Sequence, residues 1–412
     1  MTPELRFPDF KDPWQDATAG DAFAHSKAKG GAGLPIWSVT LNRGMVPRNS
    51  LDRHMESDAA DETNLRAKPG DLVYNMMRMW QGAVGQASEE CMVSPAYVVL
   101  SPKPRICSRF FDYWFKAPHM LHRLRSFSHG LTKDRLRLYY ADFAKIPIPL
   151  PSEDEQRKIA DFMDTVSERI TLLNREKAAL EDHKQGLMQR LFSQELRFTR
   201  DDGCAFPDWS ETKFGALFGW VKTNSLSREH LTETTDSGIQ NIHYGDIHGK
   251  FRALFRQTAE TAPFITENAP LRSITDEEYL REGDIVIADA SEDYADIGKS
   301  IEIMEVRERS MIAGLHTYIA RPMDGALVPG FAGYLLRSEP MRRQIIRISQ
   351  GISVLGLSKG NLEKLTFWLP HPDEQKKIAG MLMVVDAKIN AVSDQITHME
   401  TFKQGLLQKL FV

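Results

Sequence analysis

The side chains best suited to reading a polar partner fall in two parts of the chain. Within the glycine-flanked stretch Gly70 to Gly82, Arg78, Trp80 and Gln81 bring together a guanidinium, an aromatic ring and an amide. That set matches the donor and acceptor edges of nucleic-acid bases, although Trp80 is equally suited to a core. Downstream lies a basic stretch of Lys116, His119, His122, Arg123, Arg125, His129, Lys133, Arg135 and Arg137, opposed only by Asp134. Cations so placed can meet phosphate oxygens or simply cover a solvated face. In the second half the matching candidates are Asp289, Asp293, Tyr294, Lys299 and His316, with Arg337, Arg342, Arg343, Arg347 and Lys359 following. The acids there can accept from a cytosine amine or orient arginines. The turn Tyr244-Gly245-Asp246 sits between His243 and His248. These are residue types that can bind a metal, but histidine-rich turns ordinarily only hydrogen-bond, and no metal is assigned.

Catalytic readings fare worse. Asp208 and Glu211-Thr212-Lys213 have the residue types of a nuclease, but the two acids are too close in sequence for separate strands. Gly298-Lys299-Ser300 lacks the glycine five positions earlier that a phosphate-cradling loop needs, since that position is Asp293. No glycine-rich cofactor loop and no Asn- or Asp-Pro-Pro-aromatic motif marks a methyltransferase.

The elements that must position these groups are set by a repeat. Leu150-Pro151-Ser152-Glu153-Asp154-Glu155-Gln156-Arg157-Lys158-Ile159-Ala160 returns as Leu369-Pro370-His371-Pro372-Asp373-Glu374-Gln375-Lys376-Lys377-Ile378-Ala379, and Lys184 to Phe192 returns as Lys403 to Phe411 without a gap. Ser152 with Glu155 predicts a capping box, and Pro372 suits a first helical position. The apolar spacing is 4-3-4-3: Ile159, Met163, Val166, Ile170, Leu173, Leu180, Leu187, Leu191, interrupted by Lys177 and Lys184. In the second copy it runs from Ile378 through Leu382, Val385, Ile389, Val392, Ile396, Met399 and Leu406 to Leu410, interrupted by Lys403. Such phase over more than four heptads predicts a coiled-coil seam. A helix of some 38 residues would be about 57 Å long. Two matching copies favour antiparallel pairing with each other, and Phe162 and Leu172 beside the seam predict apolar surface left for a partner.

Weaker matches precede each helix: Gly70-Asp71-Leu72-Val73 with Gly283-Asp284-Ile285-Val286, Ser128-His129-Gly130 with Ser349-Gln350-Gly351, and Glu4-Leu5-Arg6-Phe7 with Glu195-Leu196-Arg197-Phe198. The predicted class is α+β: two α/β domains and two long helices in an antiparallel coiled coil, as a pseudo-two-fold internal repeat. The boundaries are 1–150, 151–195, 196–369 and 370–412. Length agrees with several domains. The net charge of −4 argues against bulk coating of nucleic acid, not against local basic faces. Three cysteines without paired spacing suit a reducing cytoplasm, and no run suits a membrane span.

This layout resembles the specificity subunits of Type I restriction–modification systems along essentially the whole chain. The carriers are the proline-led Asp-Glu-Gln start and the Gln-Gly-Leu-x-Gln-x-Leu-Phe end of each helix. Gly70 to Gly82 with Val93-Ser94-Pro95-Ala96-Tyr97, and Gly283 to Ala290 with Ala313-Gly314-Leu315-His316-Thr317, resemble two kinds of target-recognition domain. The resemblance implies a non-catalytic subunit that reads a bipartite duplex DNA target, one half with each domain. It also implies docking of two methyltransferase subunits and of restriction (motor-nuclease) subunits. S-adenosylmethionine, ATP and magnesium would then belong to the partners, with no cofactor in this chain. The expected DNA contacts are Arg78, Trp80, Gln81, Arg123, Arg125, His129 and Lys133 in the first domain, and Tyr244, Asp289, Tyr294, Lys299, His316, Arg342, Arg343 and Gln350 in the second. Half-sites on one face of B-DNA recur about every 34 Å, so a two-headed reader needs a stiff spacer. A methylation-only or Type II-like system would share this architecture, and a coiled-coil scaffold without DNA binding is the alternative from another class.

Overall fold

A computed structural model describes residues 3–51, 61–132, 135–234, 238–323 and 325–411. The chain divides into two compact units, one of Met1–Glu176 with Val392–Val412 and one of Lys177–Ala391. Both long helices therefore contribute to both units: Glu153–Phe192 and Pro372–Lys409.

The first unit is built on an antiparallel four-stranded sheet in the order Phe23–Ser26, Tyr97–Pro102, Leu72–Asn75, Val84–Gln86. The helices Ser108–Trp114 and Pro118–Ser126 follow the strand Tyr97–Pro102. The aromatic core of Phe23, Phe110, Phe111, Trp114, Phe115 and Phe143 is fully buried.

The second unit has the same plan with longer insertions. Its five-stranded sheet runs Phe218–Val221, Thr317–Pro322, Ile285–Ala288, Ser300–Glu305, Leu254–Arg256, and a second sheet of four strands contains Met311–Ala313. The equivalent helices are Phe331–Leu335 and Glu339–Ile348. Each unit also has a two-stranded closure just before its long helix, Gln15–Thr18 against Pro147–Leu150 and Ser210–Lys213 against Thr366–Leu369. The turn into each central strand is the same as well. Gly70 and Gly283 stand at φ 92° and 86°, a region that glycine enters without steric cost. The adjacent Asp71 and Asp284 carboxylates accept the amides of Lys68 and Arg281 at 2.9 and 2.8 Å.

Each unit holds half of an antiparallel coiled coil. In the first, Ile159, Met163 and Val166 from the start of the first long helix share a core with Leu406, Leu410 and Phe411 at the end of the second. In the second, Leu187 and Leu191 pack with Ile378, Leu382 and Val385. Burying each such side chain stabilises by roughly 1.5–3 kcal/mol. The lysine interruptions are placed by specific partners. Lys184 forms an ion pair with Asp386 at 2.6 Å and lies over the Tyr334 ring, whose hydroxyl also donates to Asp386 at 2.7 Å. Lys403 lies over the Tyr113 ring, 5.5 Å from its centre.

The capping expectation is half met. Ser152 accepts the Glu155 amide at 3.3 Å, but the Glu155 carboxylate turns to Arg6, at 2.8 Å from both Nε and a terminal nitrogen. Glu374 likewise takes Arg197, at 3.2 and 2.9 Å, and also the Trp209 indole at 3.0 Å. Gln156 and Gln375 use their amides on the carbonyls of Pro151 and Pro370, both at 3.0 Å, and accept the amides of Cys107 and Val328. The Glu-Gln of the repeated motif is thus a clamp that ties each long helix to its unit. Phe162 does not flank an open seam either, since it packs edge-on against Phe7 at 5.9 Å. Leu172 is exposed.

Candidate nucleic-acid interface

In the first unit the fold brings together the two stretches singled out by residue type. The strand Leu72–Asn75 ends in the turn Arg78 to Gly82, against which the basic helix Pro118–Ser126 packs. Trp80 is half-buried, its indole donating to the Met77 carbonyl at 3.0 Å and its ring facing Arg125, 5.2 Å from the centroid. Arg78 reaches across the turn to the Gln81 amide oxygen at 3.1 Å. Met77, Arg78, Trp80, Gln81, Arg135 and Arg137 line an open groove of 540 Å³. Among the described residues no carboxylate forms an ion pair with Arg78, Arg125, Arg135 or Arg137; Arg78 is held by Gln81 and Arg125 by the Trp80 ring. Arg123 turns away to the Pro147 carbonyl at 3.2 Å, and the exposed His129 lies 3.7 Å from Asp142. Lys133 lies outside the described residues.

The second unit has a smaller cluster. Asp289 follows the central strand, and its carboxylate meets His316 Nδ1 at 3.2 Å. His316 stands at φ 55° and abuts the Tyr244 ring edge-on at 5.4 Å. The Tyr244 segment is a short helix, Tyr244–Gly249, rather than the predicted turn, and His243 Nδ1 accepts the Gly245 amide at its start. Burial depresses the His243 and His248 pKa values below the usual imidazole range, which favours their neutral forms. Asp246 is taken by Arg228 at 2.7 Å, and among the described residues no cluster is placed to hold a metal.

The family model for the Type I restriction modification DNA specificity domain matches residues 17–182. The Type I restriction enzyme MjaVIII specificity subunit of Methanocaldococcus jannaschii is 24% identical over 275 residues, spanning 65% of this chain and 62% of that protein. The StySPI specificity subunit of Salmonella potsdam is 22% identical over 379 residues, 84% of this chain and 75% of that one. The crystal structure of a Type I restriction–modification S subunit from M. genitalium superposes with a TM-score of 0.60 at 15% identity, covering 100% of this chain and 99% of the other. A chain from work on assembly and conformational transition of the type I R-M system gives 0.57 at 16% identity, covering 99% of each. Residues 17–182 therefore match a Type I restriction–modification DNA specificity domain, and the chain is similar to specificity subunits over most of its length.

Several of the residues selected from the sequence are engaged by contacts within their own unit. Arg342 spends its guanidinium on the carbonyls of Ile297, Tyr294 and Ala295 at 2.6–3.1 Å, holding a turn. Arg337 is buried against the Ser300 carbonyl, and Lys299 donates to the His248 carbonyl. Arg343 pairs with Glu339 one helical turn away at 2.6 Å. Tyr294 and Gln350 are exposed, Gln350 at the base of a loop. Arg135 and Arg137 belong to the groove, but in the sequence they stand only as members of a charge run. Their proximity to Arg78 depends on the Leu138 amide bonding the Met76 carbonyl, a pairing across 62 positions that no local pattern announces.

Proposed function

We propose that this chain reads a bipartite duplex DNA target, one half with each unit, and that its long helices dock the methyltransferase and restriction subunits of a Type I complex. The observation that carries the reading is the groove around Trp80, where four arginines that form no ion pair among the described residues surround an aromatic ring and an amide. Guanidiniums of this kind contact phosphates and pair with guanine in the major groove. The unlike cluster of Asp289, His316 and Tyr244 at the corresponding place in the second unit supports a different half-site there. Exposed Leu172 and Phe402, and exposed Met381 and Val384, supply apolar helix surface for the docking of protein partners. S-adenosylmethionine, ATP and magnesium would be bound by those partners.

Methylome sequencing of cells with and without the gene tests the reading. The expected result is loss of adenine methylation at one motif of two short half-sites separated by a fixed gap. A gel shift of the chain with its methyltransferase partner on random duplex at low salt separates this from a scaffold, which would leave the duplex unshifted. Inserting four residues near Lys177 should lengthen the methylated gap by about one base pair, since helix length would then set the spacing.

A further inference from the structure

Both units carry the same finger. In the first, His129 and Arg137 exchange backbone hydrogen bonds at 2.9 and 2.8 Å; in the second, Gln350 and Gly356 do so at 3.0 and 2.7 Å. Each finger is fixed at its base by two analogous bonds, the tyrosine coming from the central strand in the first unit and from its neighbour Thr317–Pro322 in the second. The Leu138 amide donates to the Met76 carbonyl and the Tyr74 hydroxyl to the Leu138 carbonyl, at 2.9 and 3.2 Å. The Leu357 amide donates to the Asp289 carbonyl and the Tyr318 hydroxyl to the Leu357 carbonyl, at 2.8 and 3.0 Å. These bases adjoin Arg78 in one unit and the Asp289–His316 pair in the other.

Beyond the first bridging residue each finger has a glycine that tolerates no side chain. A Cβ on Gly130 would lie 2.3 Å from the Arg135 carbonyl oxygen, and one on Gly351, at φ 128°, would lie 2.0 Å from that of Val354. The next residue is aliphatic in both, Leu131 and Ile352, and both are fully exposed, at 103% and 102%. Among the described residues no other large apolar side chain exceeds 58%. Single exposed apolar residues are common on protein surfaces and need no explanation. The same residue class directly after the same constrained glycine, in two units whose neighbouring polar groups differ, does need one.

The charge around the tips favours a polyanion over a protein. Residues 349–358 contain no charged side chain and are flanked by Arg347 and Lys359, while residues 129–137 hold Lys133, Arg135 and Arg137 against Asp134 alone. We propose that Leu131 and Ile352 are wedges that enter a groove of the duplex and press between neighbouring base pairs, opening each half-site at one step. Apolar wedges act this way in proteins that kink DNA, and flexible pyrimidine–purine steps yield most easily. Each unit would then sense how readily its half-site deforms, in addition to any contacts with base edges. The proposal rests on the DNA-reading function above.

The test uses the full chain in its native complex on the duplex identified by methylome sequencing, with 2-aminopurine placed at successive steps of each half-site. The wild-type chain should raise the fluorescence at one step per half-site. Leu131→Ser and Ile352→Ser should each abolish the rise in its own half-site and weaken binding roughly 5- to 50-fold, without changing the slope of log affinity against log salt, because no phosphate contact is lost. Leu131→Ile and Ile352→Leu should restore both signals. Serine variants that bind within twofold of wild type and keep the fluorescence rise would overturn the wedge, as would variants that bind DNA normally but lose a protein subunit on purification. If the wild-type chain binds no duplex, the DNA-reading function itself falls and the wedge falls with it.

Discussion

The backbone amide of Leu5 donates to the carbonyl of Lys409 at 2.9 Å, and the equivalent bond in the second unit joins Leu196 to Arg190 at the same distance. The side chains repeat the match, with Glu4 to Lys409 at 2.8 Å and Glu195 to Arg190 at 3.1 Å. Residues 195–197 follow the first long helix directly in sequence. Residues 4–6 occupy the same position on the second long helix without a covalent connection to it. Arg6 and Arg197 are thereby delivered to the buried carboxylates Glu155 and Glu374.

Removing one partner of a buried ion pair costs more than the pair contributes, because the remaining charge is left without compensation. Arg6→Ala should therefore destabilise the first unit by about 3 kcal/mol. Arg197→Ala should cost the second unit less, about 1–2 kcal/mol, because Glu374 keeps the Trp209 indole N–H while Glu155 has no such second donor among the described residues. Hydrogen exchange in the two units, compared between the variants, checks the order.

Two of the three seam lysines, Lys184 and Lys403, should respond in opposite directions. Lys184 has Asp386 as a partner, whereas Lys403 forms no ion pair among the described residues and burial lowers its pKa. Replacement by methionine removes a desolvation cost at position 403 and strands Asp386 at position 184. Lys403→Met is expected to be neutral or stabilising by up to about 1 kcal/mol, and Lys184→Met destabilising by about 1–2 kcal/mol, in urea unfolding.

Glu302 is buried with no cation paired to it among the described residues, its two oxygens accepting the amides of Gly330 at 2.6 Å and Gly333 at 2.7 Å. Burial pushes its pKa up to about 7 from an ordinary value of 4.5, against the opposing pull of those two amides. Between these values the folded chain keeps a proton that the unfolded chain has released. Stability must therefore fall as pH rises through this window, by up to roughly 3 kcal/mol. Protection of the Gly330 and Gly333 amides, corrected for intrinsic exchange, should drop between pH 5 and pH 8 in the wild-type chain. It should change less in Glu302→Gln.

Arginines in the Trp80 groove should separate by role. Arg135→Ala and Arg137→Ala, if they meet phosphates, should weaken binding on all sequences and reduce the salt slope by about one each. Arg78→Ala should instead relax methylation at one half-site and leave the other unchanged. A variant of Arg78 that weakens every sequence equally would assign it to the backbone.

Much of this architecture is legible in the sequence because it is written locally or repeated. The helix read from heptad spacing runs over Glu153–Phe192, and the strand after Gly283-Asp284 lies at Ile285–Ala288. Turns of that kind depend on a few adjacent residues. What could not be read depends on partners far away in the chain. Arg342 and Arg337 look like surface cations in sequence, yet backbone carbonyls more than thirty residues distant engage them. Glu155 looks like the second half of a capping box until Arg6, 149 positions earlier, takes its carboxylate. The exposure of Leu131 and Ile352 is likewise invisible to hydrophobic patterning, which assigns such residues to a core.

The first compact unit is assembled from residues 1–176 and 392–412, with Leu406, Leu410 and Phe411 in its core, whereas the second is one continuous stretch. Translation at about 5–20 residues per second delivers the second stretch whole while the first still lacks its final layer. The unit begun first on the ribosome is consequently the last to close. A stop codon shortly after residue 391 would spare the later-made unit and leave the earlier one open, so such truncated chains should be recognised as unfinished by the cell's proteases rather than accumulate.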